Sequence, residues 1–299
     1  MNSGRRPRGL LAVDRLALGY LWLSGLLALA SFSSRGALIA ALHAGGTAAI
    51  LAVARRDVPG HRWLAFLRLA YPVAATPLLY SELAWLNQLL VTGYFDGVVQ
   101  SWEQALFGVQ LSVDASRWLP HLWISEILHA GYASYYVLVP GAALGVYLLA
   151  GRRALHEWTF TVGLAFFVCY LIFSVFPVAG PRYAFPPIEG PPARGFFFAL
   201  VHRILEGGSS KGTAFPSSHV AAAVTAWLAA GRHRRVLLVG FALPAVTLVL
   251  GTVYGRFHYG IDALAGIGIA GLSLALSPAL VGRAGALPDT GNPSGAPGV

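Results

Sequence analysis

The chain contains eight apolar stretches, each near the length that a helix needs to cross a bilayer: roughly 14–33, 36–54, 64–90, 122–150, 156–178, 215–231, 235–254 and 259–281. About 20 apolar residues span the hydrocarbon in helical form. The expected fold is therefore all-α, a polytopic membrane helix bundle of about eight transmembrane helices. The third stretch carries Pro72 and Pro77 and is the weakest of the eight. Proline is tolerated in such a helix where a neighbour satisfies the carbonyl it frees.

Composition supports this reading. Hydrophobic residues make up 56% of the 299 and charged residues 11%; soluble chains average about 25% charged. Twenty of the 21 basic residues are arginine, and Lys211 stands alone as lysine. A net charge of +9 would fit a nucleic-acid partner if the charge formed a patch. Here the arginines sit in short clusters between apolar runs, which excludes that class. The single cysteine, Cys169, lies inside an apolar run, so no disulfide or cysteine metal site is available within the chain.

Arg5, Arg6 and Arg8 followed by an apolar run and Leu27-Ala28-Leu29-Ala30 resemble a cleavable leader. Seven further spans favour a retained first helix. With the N-terminus inside, the cytoplasmic segments receive Arg5, Arg6, Arg8, Arg55, Arg56, Arg62, Arg152, Arg153, Arg232, Arg234, Arg235 and Arg283. Basic residues concentrate on the cytoplasmic side. The expected protein is a multi-pass cell-membrane protein with both termini cytoplasmic. Residues 1–60 form two extra helices, 61–283 a core with outer loops 91–121 and 179–214, and 284–299 a disordered cytoplasmic tail. The loop 91–121 is expected to hold one or two interfacial helices.

Three helix ends then fall on the outer face. Phe215-Pro216-Ser217-Ser218-His219 opens the sixth span, with Pro216 suited to a first turn. The unpaired N–H groups of a helix start attract anions, and Ser217 and Ser218 add hydroxyls. Arg256-Phe257-His258-Tyr259-Gly260-Ile261-Asp262 opens the eighth span, and His258 and Asp262 at i, i+4 share a face. A carboxylate on one imidazole nitrogen fixes the tautomer and activates the other. Arg182 follows the fifth span. Any one of these residues alone reads as an ordinary interfacial side chain. Together they supply the oxyanion donors, nucleophile and leaving-group acid of phosphoryl transfer.

These segments resemble the type 2 phosphatidic acid phosphatase superfamily of integral membrane enzymes, whose signature reads K-x6-R-P, P-S-G-H and S-R-x5-H-x3-D. The resemblance covers roughly 122–281 and implies a six-helix core, no metal and no cofactor. It implies that His258 attacks phosphorus, Asp262 orients it and His219 protonates the leaving alcohol. Arg182, Ser217, Ser218 and Arg256 would hold the phosphate of a lipid substrate, whether phosphatidate, polyprenyl phosphate or phosphoinositide. The first motif has Val175 in place of lysine and Tyr183 after Arg182; the second has Ser218 for glycine; the third has Thr252 for arginine. The Gly-Pro-Arg-Tyr and Gly-Arg-Phe-His-Tyr forms look closer to the branch that includes inositol phosphorylceramide synthase, which implies transfer to an alcohol rather than to water. Lys211 is a further phosphate candidate, in place of the missing lysine. Glu126, His129, Tyr132 and Tyr136 share a face of the fourth span and are expected to pack or touch a headgroup. A flippase would need polar residues along the spans, whereas the polar set clusters at their outer ends. A lipid-binding relative without catalysis is disfavoured by the intact His219, His258 and Asp262.

Overall fold

The structure, a computed structural model, describes residues 9–56, 58–285 and 287. Arg5, Arg6, Arg8 and most of the tail 284–299 lie outside the described residues. In chain order the helices are α1 (Ala12–Leu29), α2 (Ser34–Ala54), α3 (Arg62–Ala74), α4 (Thr76–Leu86), α5 (Asp96–Phe107), α6 (Leu111–Trp118), α7 (Leu122–Ala133), α8 (Tyr135–Val175), α9 (Pro181–Ala184), α10 (Phe196–Gly208), α11 (Ser218–His233), α12 (Arg235–Tyr254) and α13 (Gly260–Ala284), with a 3-10 turn at Pro191–Arg194.

Among the described residues, five helices are long and apolar enough to cross a membrane: α1, α2, α8, α12 and α13. The bundle is thus a helical membrane bundle, but a count of eight spans does not follow from it. The expected span 64–90 is broken into α3 and α4 at Ala75. Pro77 cannot donate to the Val73 carbonyl, and the Thr76 hydroxyl takes that carbonyl instead at 2.8 Å. The Tyr170 hydroxyl satisfies the Thr76 carbonyl from across the bundle, at 3.2 Å. Two expected spans merge into the 41 residues of α8, which Gly151 (φ 86°) divides. Residues 135–143 and 158–166 line one cavity; in a straight helix at 1.5 Å per residue they would be tens of ångströms apart, so α8 folds back on itself at Gly151. The expected sixth span yields only the 16-residue α11, which begins at Ser218 with Ser217 as its cap. Pro216 therefore precedes the cap and is not in the first turn as its sequence position implied.

α11 is the hub. Ala221, Ala222, Ala223 and Ala226 are fully buried, and α11 packs on both α8 and α13. Small side chains let helices approach closely where lipid supplies no hydrophobic drive. A close crossing of α11 is at Gly266 on α13, where an added Cβ would lie 2.6 Å from the Ser217 carbonyl. Along the same helix nothing lies within 4 Å of a Cβ at Gly271. Gly266→Ala should therefore cost about 1–3 kcal/mol through overpacking, while Gly271→Ala is neutral or slightly stabilising. Thermal unfolding of the two variants in detergent, side by side, checks this; equal melting temperatures would refute the crossing.

Candidate active site

The site is built on a short parallel bridge between Val178 and Thr213. The Ala214 N–H donates to the Val178 carbonyl at 2.9 Å. Gly180 then turns the chain at φ 101°, where a Cβ would sit 3.1 Å from that of Ala214. This brings the Arg182 turn against the segment entering α11. The Ser217 N–H donates to the Asp262 carbonyl at 3.0 Å, joining the start of α11 to the first turn of α13.

Arg182, His219 and His258 come together in one narrow cavity of about 30 Å³, which Tyr132 and Ala214 also line. The His258 Nδ1–H donates to the Ala214 carbonyl at 2.9 Å, and both are buried. That bond places the proton on Nδ1 and leaves a lone pair on Nε2. Burial pushes the His258 imidazole down to about 4, so the ring is neutral. Asp262 is fully buried, with Oδ2 3.6 Å from His258 Nδ1. Its firm hydrogen bond is elsewhere: Oδ2 accepts from the Tyr259 N–H at 2.7 Å, capping α13. No sequence motif marks the Ala214 carbonyl.

The His219 and His258 ring centroids are 5.8 Å apart. His219 is held between two tyrosines, with centroid distances of 5.3 Å to Tyr132 and 4.5 Å to Tyr135. The Tyr132 hydroxyl lies 3.4 Å from Nε2, and the buried Nδ1 has no partner among the described residues. Arg182 Nη1 is likewise buried without one. A guanidinium donor left open beside two imidazoles is suited to an anion.

The other expected residues lie differently. Ser217 caps α11, its Oγ accepting from the Val220 N–H at 3.3 Å. Ser218 is buried in the first turn, and neither serine is among the cavity-lining residues. Arg256 turns away: Nη1 donates to the Pro186 carbonyl and Nη2 to Ser116 Oγ at 3.2 Å, so it ties loops together. Lys211 is exposed at the rim, over the rings of Tyr94 and Tyr183 at 4.7 and 5.3 Å. Glu126 packs, accepting from the Phe197 and Phe198 N–H groups at the start of α10, each at 3.1 Å. His129 donates to its own helix at the Ser125 carbonyl. Tyr132 is the member of that face that reaches the cavity.

Two carboxylates on α5 hold the frame. Asp96 accepts from the Ala179 and Gly180 N–H groups at 2.8 and 2.9 Å and from the Tyr259 hydroxyl at 2.9 Å. It thereby links the Arg182 turn to the start of α13. Glu103 is buried, its carboxyl pushed up by that burial, and accepts from the Ser112 N–H at 3.3 Å. In the sequence both looked like loop acids; only their partners, up to 163 residues away, show otherwise.

The chain belongs to the PAP2 superfamily, whose family model matches residues 99–276, more than half its length. Membership implies phosphatase or phosphotransferase chemistry on lipid-phosphate-type substrates. The match begins within α5, earlier than the motifs alone implied, and leaves α1–α4 outside it. No curated protein and no solved structure matches the chain.

Asp96→Ala removes three hydrogen bonds to a carboxylate, each worth about 1.5–3 kcal/mol when charge-assisted. It should lower activity more than Glu126→Ala, which unties α10 but leaves the Arg182 turn in place. Turnover of a lipid phosphate by the two variants, normalised to folded protein, decides this; the reverse order would refute the role of Asp96.

Proposed function

We propose that the protein is an integral-membrane lipid-phosphate phosphatase or phosphotransferase working through a phosphohistidine at the extracytoplasmic face. The observation that carries it is the single cavity shared by a neutral His258 with a free Nε2, a second imidazole and an open arginine. The phosphate oxygens lie against Arg182. His258 Nε2 attacks phosphorus, the P–O bond to the lipid breaks, and His219 gives its proton to the departing oxygen. Water or an alcohol then gives its proton to His219 and attacks the phosphohistidine, which frees His258. The substrate's negative charge favours the His219 imidazolium that the first step needs.

In this scheme Ala214 sets the His258 tautomer, and Asp262 supports the positive charge on the phosphorylated ring. His258→Ala should abolish turnover. Trapping with a radiolabelled lipid phosphate should give an acid-labile phosphoenzyme in the parent protein and none in the variant; a label that persists would refute the nucleophile. His219→Ala should slow the reaction about 10²–10⁴-fold. Asp262→Asn keeps the tautomer and loses the charge. A pair near 4 Å at an effective dielectric of about 20 is worth about 4 kcal/mol, so the loss should be on the order of 10²–10³-fold.

The depressed His258 predicts the acid limb of the pH profile. A neutral nucleophile is lost only as pH falls through its pKa of about 4, against about 6.5 for an ordinary histidine. Loss of the His258 nucleophile should therefore put no acid limb on kcat/KM above about pH 5; an acid limb near 6.5 would place another group in control.

The Gly180-Pro181-Arg182-Tyr183 and Gly255-Arg256-Phe257-His258-Tyr259 forms favour an alcohol acceptor, as in the inositol phosphorylceramide synthase branch. Free phosphate measured with and without myo-inositol separates the outcomes. Suppressed phosphate release with a new inositol phosphate product supports transfer; unchanged release supports hydrolysis.

A further inference from the structure

A second cavity lies deeper in the bundle, between the α3–α4 elbow and α8. It measures about 290 Å³ and is lined almost wholly by apolar side chains, among them Phe66, Ala70, Pro77, Val139, Ala143 and Phe166. Its walls on α3 and α4 lie outside the family match, which begins at residue 99.

Tyr135 stands between this cavity and the catalytic one. It lines the apolar cavity, and its ring also lies 4.5 Å from that of His219. From Tyr135 to Ala143 the α8 wall descends eight residues, about 12 Å at the helical rise. Phe66 lies at the far end, its ring 5.4 Å from that of Tyr147, a further turn along α8. The catalytic cavity, at about 30 Å³, has room for little beyond a phosphoryl group, since one water needs about 10–15 Å³ on this measure. The rest of a lipid substrate must lie outside it, and the apolar cavity begins on the other side of Tyr135.

We propose that this cavity seats one hydrocarbon chain of the lipid phosphate and sets which chains are accepted. The assignment rests on the phosphohistidine reading for the identity of the headgroup. Bilayer hydrocarbon is as apolar as the cavity wall, so entry gains nothing from leaving water. Selection must come from fit. The wall is suited to that, because the Pro72–Pro77 elbow is fixed by the Thr76 and Tyr170 hydroxyls and does not follow the chain.

Two substitutions at the deep end push selectivity in opposite directions. Ala143→Trp shortens the cavity and Phe66→Ala lengthens it. In detergent micelles, Ala143→Trp should lower kcat/KM about tenfold for a dioleoyl lipid phosphate, through KM, with the dihexanoyl substrate nearly unchanged. Phe66→Ala should raise the ratio of long-chain to short-chain turnover. Parallel loss on both substrates, or no change in the ratio from either variant, overturns the proposal. A binding readout independent of catalysis uses an alkyl phosphonate with a terminal diazirine on the parent protein. Photolabelling within 66–77 and 139–166 supports the seat even if no lipid phosphate is turned over, an outcome that would sink only the reaction. Labelling confined to lipid-facing residues such as Val236, Val239 and Leu243, as an ordinary boundary lipid would give, overturns it.

Discussion

The backbone of Ala214 is the point from which the site hangs. Its N–H holds Val178, and so the turn that carries Arg182. Its carbonyl takes the His258 Nδ1 proton at 2.9 Å. Three residues further along, Ser217 caps α11 and places His219 on its first turn. The main chain of one residue thus ties together all three segments that the motifs mark, although they are spread from residue 176 to residue 262. Main-chain groups suit this role because a side chain there would add rotamers to be ordered. Gly180 and Gly266 clear the space on either side, each facing backbone or Cβ atoms that a larger residue would displace.

The N-terminal helices meet a different constraint. Asp14 on α1 and Arg68 on α3 form a bidentate pair at 2.7 and 2.8 Å, both buried. On α2 and α4, His43 and Glu82 pair at 3.0 Å beside Ser24. Charges among apolar helices are expensive unless paired, and removing one partner of a buried pair costs about 3–5 kcal/mol. These contacts therefore tie α1 and α2 to α3 and α4, all four of which lie outside the family match. They also hold α3 in place, and with it one wall of the apolar cavity.

The sequence made the helical class and the two histidines legible for separate reasons. Apolar runs of about 20 residues have few solutions in lipid. His219 and His258 each sit at a helix start in a motif with fixed spacing. Span counting failed where local chemistry intervened: Pro77 split one expected span in two, whereas Gly151 divides α8 between two others. Arg256 looked like a phosphate ligand because it is two residues from His258, but its positive φ of 59° turns the backbone and its side chain reaches Pro186 and Ser116. Spacing along the chain cannot carry such a turn. Nor can it carry the Ala214 carbonyl, since a backbone acceptor has no residue type. The sequence marks Tyr132 only for packing or headgroup contact and does not mark Tyr135, because aromatic residues in a span usually pack; only the fold puts both against one imidazole.

That enclosure explains how two like side chains could take opposite parts. Two imidazoles 5.8 Å apart disfavour double protonation, since like charges repel. Their partners then separate them. His258 has a carbonyl at Nδ1 and a carboxylate 3.6 Å away, so its surroundings tolerate the positive charge that the proposed attack would create. His219 has only a tyrosine hydroxyl at 3.4 Å and two ring faces. No anionic side chain among the described residues is bonded to it, so its imidazolium gains its counter-charge from the phosphate itself. On the proposed roles the acid is therefore charged mainly when substrate is bound, and the nucleophile stays neutral until it reacts. The division of labour follows from what each ring touches rather than from any difference between the residues.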